Sequence, residues 1–309
     1  MNSAYHAPVL AAEVLQFLGN ARRVFDGTLG GGGHAALLLE HGAAVIGVDR
    51  DPAARAETGR RLSRFVESGK LTIIDSTFAE AVTGDEIGFE PFDGALLDLG
   101  VSSHQLDDEA RGFTFREGAA LDMRMSGQGA RADAWLNSAS ADDLAHAFHD
   151  YGDEPKARKL AATIVRRRQT RAFETSDDLV GAIRATLGPR SGAPDFARLF
   201  QAVRIAINGE LEELETALPA IRDRLAPGGV LVVIAYHSGE DRLVKRAFQE
   251  WSRDCVCPPR QPMCTCGGVA LGTLLTRKPV TASPGEIERN HRARSAKLRA
   301  WQRALGSHL

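Results

Sequence analysis

The segment Asp26-Gly27-Thr28-Leu29-Gly30-Gly31-Gly32-Gly33-His34-Ala35 constrains the fold more than any other stretch of the 309 residues. It lies between an apolar run that ends at Asp26 and a helical pattern that begins near Ala35. Backbone without Cβ atoms turns sharply and lets a ligand approach where side chains would collide. A strand, a glycine turn and a helix in that order form a nucleotide loop. Gly30, Gly32 and Ala35 also satisfy G-x-G-x-x-G/A, so the pattern by itself accommodates a dinucleotide as well as a methyl donor.

The surroundings of the loop narrow the choice. Val24 to Asp26, Ala44 to Asp49, Leu71 to Ile74 and Gly94 to Asp98 read as strands alternating with helices, the pattern of a parallel α/β sheet. Ligand-facing residues collect at the carboxyl ends of such strands. Asp49 follows Gly30 by 19 residues, where an acid commonly accepts the ribose hydroxyls. Asp51 and Pro52 read instead as a helix cap and its first residue. Asp26 is the discriminating residue: its carboxylate would repel a pyrophosphate and suit a ligand bearing an ammonium and a sulfonium. Asp98-Leu99-Gly100-Val101-Ser102-Ser103, at the tip of the fourth strand, would face the loop across the crevice.

Beyond Leu106 helical periodicity replaces the strands as far as Phe200, with Ser140 and Asp143, then Thr175 and Asp178, spaced as capping boxes. The expected organisation is a core in two parts, 1–105 and 201–309, around a helical insert, 106–200. Gly192-Ala193-Pro194 reads as a loop before one helix from about Ala197 to Leu218. Val230 to Tyr236 reads as a buried central strand, and Leu271 to Thr276 with Ser295 to Trp301 as a closing hairpin, the second segment also permitting a helix. No apolar stretch reaches the roughly 18 residues of a membrane span, and Met1 to Leu18 lacks a basic region followed by an apolar one. A soluble cytoplasmic protein is expected, with monomer and homodimer both open.

The net charge of -2 hides two basic stretches. Pro155 to Arg204 holds 11 Lys and Arg against 4 Asp and Glu, and Arg277 to Arg303 holds 8 against 2. Each is either a solvated helix face or a footprint for phosphates. Arg166, Arg167 and Arg168 suit a helix end equally well, and Arg292, Arg294 and Lys297 form a second group. Cys255-x-Cys257 and Cys264-x-Cys266 are paired more tightly than the usual zinc spacing, so reduced thiols and no metal are the expectation.

With these motifs in place, the chain resembles the bacterial ribosomal RNA small subunit methyltransferase H family over nearly its whole length. The resemblance rests on His6-Ala-Pro-Val-Leu10, the DGTLGGGGH loop, VDRDP from Val48, LLDLGVSS ending at Ser103 and Gln105-Leu-Asp-Asp108. It continues with RGFTF from Arg111, LDMRM from Leu121, FQAVRIAINGELEELE from Phe200, HSGEDR from His237 and RARSAKLR from Arg292. His104, Gly239 and Gly209 depart from the common pattern without removing a ligand. The resemblance implies a Rossmann-like class I core that binds S-adenosyl-L-methionine, with an inserted α-helical domain for RNA. The implied activity is methylation of the exocyclic N4 of a cytidine in the decoding region of 16S rRNA of the small ribosomal subunit. It also implies that Gly32, Gly33 and His34 touch the donor, Asp49 holds the ribose, Phe78 lies beside the adenine, and Asp98 and Gln105 complete the site. Asp98 or a neighbouring backbone carbonyl, opposite the donor loop, is the candidate acceptor for the amine. His237 is a second candidate, shaping the target pocket, with a histidine satisfied by backbone partners as its alternative. A nucleotide-dependent oxidoreductase and a non-catalytic ribosome-assembly factor are the rival functions.

Overall fold

Four strands that each end in an aspartate build one half of the sheet: β1 (Arg23–Asp26), β2 (Ala44–Asp49), β3 (Leu71–Asp75) and β4 (Phe92–Asp98). All four run parallel. The other half is β5 (Leu225–Ala235), parallel to β4, then β6 (Gly272–Leu274) and β7 (Lys297–Arg303), both in antiparallel pairings. The order is β3-β2-β1-β4-β5-β7-β6. The expected closing hairpin is therefore present, and its second segment is a strand. The computed structural model describes residues 8–102, 105–106, 108–255, 257, 261, 263, 265 and 268–306. The chain divides into two units, Met1–Gly100 with Glu212–Leu309, and Val101–Leu211.

In the first unit, α1 (Ala11–Leu18), α2 (Gly33–Glu40), α3 (Pro52–Arg61), α4 (Ser63–Glu67) and α5 (Phe78–Thr83) connect the strands. Asp51 caps α3 by accepting from the Ala53 N–H at 3.0 Å, with Pro52 in the first turn, as expected.

The second unit is helical: α6 (Ala132–Ser138), α7 (Ala141–His146) continuing into one π-turn (Ala147–Tyr151), α8 (Ala157–Arg168), α9 (Ser176–Leu187) and α10 (Ala193–Asn208). Its core joins Leu136, Phe148, Leu160, Ile164, Ile183 and Leu199. The Asn208 side chain accepts from the Met125 N–H and donates to the Met123 carbonyl, at 2.9 and 2.8 Å, fastening the LDMRM segment to the end of α10.

The single helix expected from Ala197 to Leu218 is two. Gly209, at φ +62°, ends α10, and α11 (Glu210–Arg224) follows. The expected loop before it is helical as well. Gly192 is the cap residue, Asp195 accepts its N–H at 3.1 Å, and Pro194 occupies the first turn, where its missing N–H costs nothing. Back in the first unit, α12 (Ser238–Trp251) follows β5, and α13 (Pro284–Arg289) precedes β7.

Strand side chains alternate between two cores. Leu96, Val232, Ile234 and Leu298 pack with Val14 and Leu18 of α1 and Leu38 of α2. Ala95, Leu97, Leu231, Val233 and Trp301 pack with Val82 of α5, Ile221 of α11 and Phe248 of α12. Burial on both faces explains why β4 and β5 read as continuous apolar runs. Among the described residues no helix is long and apolar enough to cross a membrane.

Candidate active site

Strand order reverses between β1 and β4, since the chain builds outward to β3 on one side and to β5 on the other. Open α/β sheets bind ligands at the carboxyl ends of strands beside such a reversal. Asp26 and Asp98 end those two strands.

Backbone bonds fix the glycine loop to both neighbours of β1. The Gly27 N–H donates to the Leu96 carbonyl of β4 at 3.0 Å, and the Leu29 N–H to the Val48 carbonyl of β2 at 2.9 Å. The Gly30 N–H donates to Asp49 Oδ2 at 2.7 Å, while the Asp51 N–H reaches Asp49 Oδ1 at 2.8 Å. Thr58 Oγ1 donates to the Gly30 carbonyl at 2.8 Å, and the Arg61 guanidinium to that of Gly31. Gly32, at φ +72°, needs its missing Cβ, which would lie 2.7 Å from Thr58 Cγ2.

The acids and their partners converge above the sheet. Thr28 Oγ1 accepts the Asp98 N–H at 2.6 Å, tying the loop to the tip of β4. Tyr236 donates its hydroxyl to Asp98 Oδ1 at 2.8 Å, and His34 Nε2 stands 3.4 Å from Asp98 Oδ2. Asp26 is fully buried; Oδ1 accepts from the Thr28 N–H at 3.2 Å, and Oδ2 has no hydrogen-bond partner among the described residues. Neither ring nitrogen of buried His34 has one either. Burial pushes the Asp26 carboxyl up to about 7, against the opposing charge of His34. Burial likewise raises Asp49, opposed by the N–H groups of Asp51 and Gly30. Burial and then the charge of Asp98 hold the Tyr236 phenol well above its ordinary value, so it remains a donor.

The first unit therefore brings Gly32, Gly33, His34, Asp49 and Asp98 together around one loop. Phe78 opens α5 after β3, with its Cβ 2.9 Å from the point a Gly27 Cβ would occupy; Glu213 accepts its N–H at 3.0 Å and pairs with Arg50 at 3.3 Å. His237 caps α12: Nδ1 accepts from the N–H groups of Gly239 and Glu240, and Nε2 lies 3.0 Å from Glu240 Oε1. Gln105 belongs to the second unit, where Oε1 accepts the Ser102 N–H at 2.9 Å and its own N–H donates to Ser102 Oγ. Thr28 and Tyr236 were missed in the sequence, although a hydroxyl within the loop and a phenol at the tip of the strand beside β4 were available signals.

Ser103 and His104 lie outside the described residues, as do Cys264 and Cys266 of the cysteine quartet. Among the described residues no group of His, Cys, Asp and Glu is placed to hold a metal ion.

An orphaned buried carboxylate beside the loop opposes phosphate and fits a cationic ligand. Such a loop, on a parallel sheet closed by an antiparallel hairpin, makes this a class I methyltransferase core, and its donor is S-adenosylmethionine. The model of the MraW methylase family matches residues 3–304, and the chain belongs to that family. A protein of Gemmatimonas aurantiaca named ribosomal RNA small subunit methyltransferase H is 60% identical over 305 residues, covering 97% of this chain and 96% of the relative. Proteins of the same name from Heliobacterium modesticaldum and Geotalea uraniireducens are each 45% identical, covering 97% and 98% of this chain and 98% and 100% of themselves. The dinucleotide reading left open by Gly30, Gly32 and Ala35 is thereby set aside.

Proposed function

We propose that the chain transfers a methyl group from S-adenosylmethionine to the exocyclic N4 of a cytidine in the decoding region of 16S rRNA, acting on the small ribosomal subunit in the cytoplasm. The observation that supports this reading is the attachment of the Asp98 N–H to the glycine loop through Thr28, which keeps the tip of β4 beside the loop; the Asp98 carboxylate is proposed to face the donor from there. Family membership and the relatives' shared name support the RNA substrate.

Gly32, Gly33 and His34 are the proposed donor contacts, with Asp49 at the ribose and Phe78 at the adenine. Gln105 is carried over from the resemblance. Asp49 suits its role because each carboxylate oxygen keeps a second lone pair beside its backbone bond. The orphaned Asp26 Oδ2 supplies negative charge for a cationic ligand. When bound, the donor supplies a methyl group on a sulfonium.

The chain's own task is alignment and proton handling. The lone pair of an exocyclic amine is delocalised into the base, so attack needs a fixed approach and an acceptor for the amine N–H. Asp98 Oδ2 is that acceptor, and the Tyr236 hydroxyl on Oδ1 holds the carboxylate in one orientation. His237, by capping α12 beside Tyr236, shapes the target pocket. The helical second unit is proposed to hold the RNA, and the cytidine leaves its stack to reach the site.

The test is transfer of labelled methyl from the donor to small-subunit rRNA, with the modified nucleoside identified after digestion. Label on cytidine N4 is the expected result. Donor binding without transfer would leave a non-catalytic assembly factor and end this reading.

A further inference from the structure

The basic segment Pro155 to Arg204 contains two kinds of cation. Several arginines already have partners inside the second unit. Arg168 donates to the Leu136 and Ala139 carbonyls and Arg167 to that of Gly181, while Arg198 pairs with Glu154 at 2.7 Å and Arg204 with Glu210 at 2.8 Å. Lys156, Arg158 and Lys159 are exposed, and among the described residues their side chains have no hydrogen bond or ion pair. Glu154 accepts the Lys156 N–H at 2.8 Å and is itself paired with Arg198. Lys156 precedes α8 and Arg158 and Lys159 stand in its first turn, which has no acid of its own, although the positive end of a helix dipole disfavours cations there. Clustering them costs stability, and an anion held between them would offset that cost.

The same three residues line a cleft of about 700 Å³ with the π-turn that follows α7. The π-turn brings two rings onto one carboxylate: His146 Nδ1 is 2.5 Å from Asp150 Oδ2, and His149 Nδ1 is 2.8 Å from Asp150 Oδ1. Asp150 thus fixes both exposed rings through one nitrogen and leaves Nε2 of each for a ligand. Single π-turns inside helices frequently mark functional sites. Asp142 is the other acid on the lining.

We propose that this cleft grips the sugar-phosphate backbone of the RNA substrate, with Lys156, Arg158 and Lys159 supplying charge and His146 and His149 oriented contacts. This rests on the chain's being an rRNA methyltransferase and adds where the substrate is held. Protein interfaces need apolar or aromatic anchors at their centre. The large exposed apolar side chains among the described residues all fall in the first unit. The lining of this cleft holds no large apolar or aromatic anchor; Lys156, Arg158 and Lys159 outnumber Asp142 and Asp150, with both carboxylate oxygens of Asp150 already facing the two histidines, which suits phosphates.

The experiment measures binding of the full chain to purified small-subunit rRNA over a range of salt, together with steady-state methyl transfer. Replacing Lys156, Arg158 and Lys159 together by Gln should raise KM for the RNA at least about tenfold and flatten the log Kd against log salt slope by about 2 to 3, near 0.9 for each phosphate no longer neutralised. Donor Kd and kcat should stay at parental values. The charge-preserving combination Lys156→Arg, Arg158→Lys and Lys159→Arg should behave as the parent, which separates charge from folding. His146→Ala with His149→Ala should raise KM with no change in donor binding. An unchanged slope and KM in the Gln variant would overturn the proposal, as would weakened capture of ribosomal proteins with RNA binding intact. Failure of the wild-type chain to methylate rRNA despite binding donor would instead remove the functional reading itself.

Discussion

The Tyr236 hydroxyl donates to Asp98 Oδ1 at 2.8 Å, linking the end of β5 to the end of β4, one of the two strands between which strand order reverses. Oδ2 of the same carboxylate is left toward His34. Removing the hydroxyl frees the carboxylate to rotate without changing its charge. Tyr236→Phe should therefore lower kcat about tenfold, the scale of one hydrogen bond to a charged group, with donor Kd within about twofold. Asp98→Asn should lower it about a hundredfold or more. Full turnover by Asp98→Asn with intact donor binding would remove its role as amine acceptor.

Asp26 makes stability and donor affinity depend on pH in opposite directions. Its carboxyl moves from an ordinary 3.8 to about 7 on folding, chiefly through burial. Between those values the folded chain holds a proton that the unfolded chain has released. The contribution to stability is therefore full below about pH 3.8 and lost as pH rises through 7, an effect of up to about 4 kcal/mol. Asp26→Asn should flatten that fall and be the more stable chain at pH 8 in thermal melts. Donor binding should show the reverse, tightening as Asp26 ionises above pH 7 in the parent and losing that dependence in Asp26→Asn. Calorimetric titrations at pH 6 and pH 8 test both chains.

Gly32 and Gly42 both have positive φ, +72° and +95°, but only Gly32 is crowded. A Cβ at Gly32 would meet Thr58, whose hydroxyl is already bonded to the Gly30 carbonyl and cannot swing away without breaking that bond. A Cβ at Gly42 meets nothing within 4 Å. Gly42→Ala should cost only the left-handed conformation, about 1 to 2 kcal/mol, with donor binding unchanged. Gly32→Ala should cost more and weaken donor binding at least about tenfold. Equal effects of the two substitutions on donor Kd would show that the loop tolerates displacement.

His237 has a capping role that can be separated from any role in the target pocket. Its Nδ1 accepts two N–H groups of α12, which requires the ring proton on Nε2, beside Glu240. Asn is an equally good cap. His237→Asn should keep the parental melting temperature while raising KM for RNA several-fold. Parental KM and kcat in that variant would reduce His237 to a cap.

The strands and the donor loop were legible because they depend on local pattern. Apolar runs that end at Asp26, Asp49, Ile74 and Asp98 mark one half of the sheet from the sequence alone, and the third strand extends one residue further, to Asp75. The break between α10 and α11 was not, since Gly209 sits within a periodic apolar pattern and its left-handed turn is a backbone choice that periodicity does not record. The role of Tyr236 was hidden for a different reason: the phenol at the strand tip is visible in the sequence, but its partner is 138 residues away and only the pairing of β4 with β5 brings them together. The arginines after Val165 show the same limit, because composition counts their charges without revealing which are already bonded.

Arg166 and Arg168 are two residues apart in one helix end yet should respond differently to replacement. Arg168 Nη1 donates to the Leu136 and Ala139 carbonyls at 2.9 and 2.8 Å, closing the end of α6, where carbonyls lack helical partners. Arg166 is exposed. Arg168→Ala leaves those carbonyls without the guanidinium, a loss of about 1 to 2 kcal/mol given partial exposure. Arg166→Ala should stay within about 0.5 kcal/mol of the parent. A chain of two units need not unfold in one step, so the sensitive measurement is hydrogen exchange in α6, where Arg168→Ala should speed exchange from 132 to 139 and Arg166→Ala should not. Unaltered protection of α6 in Arg168→Ala would return that arginine to the pool of charges available to RNA.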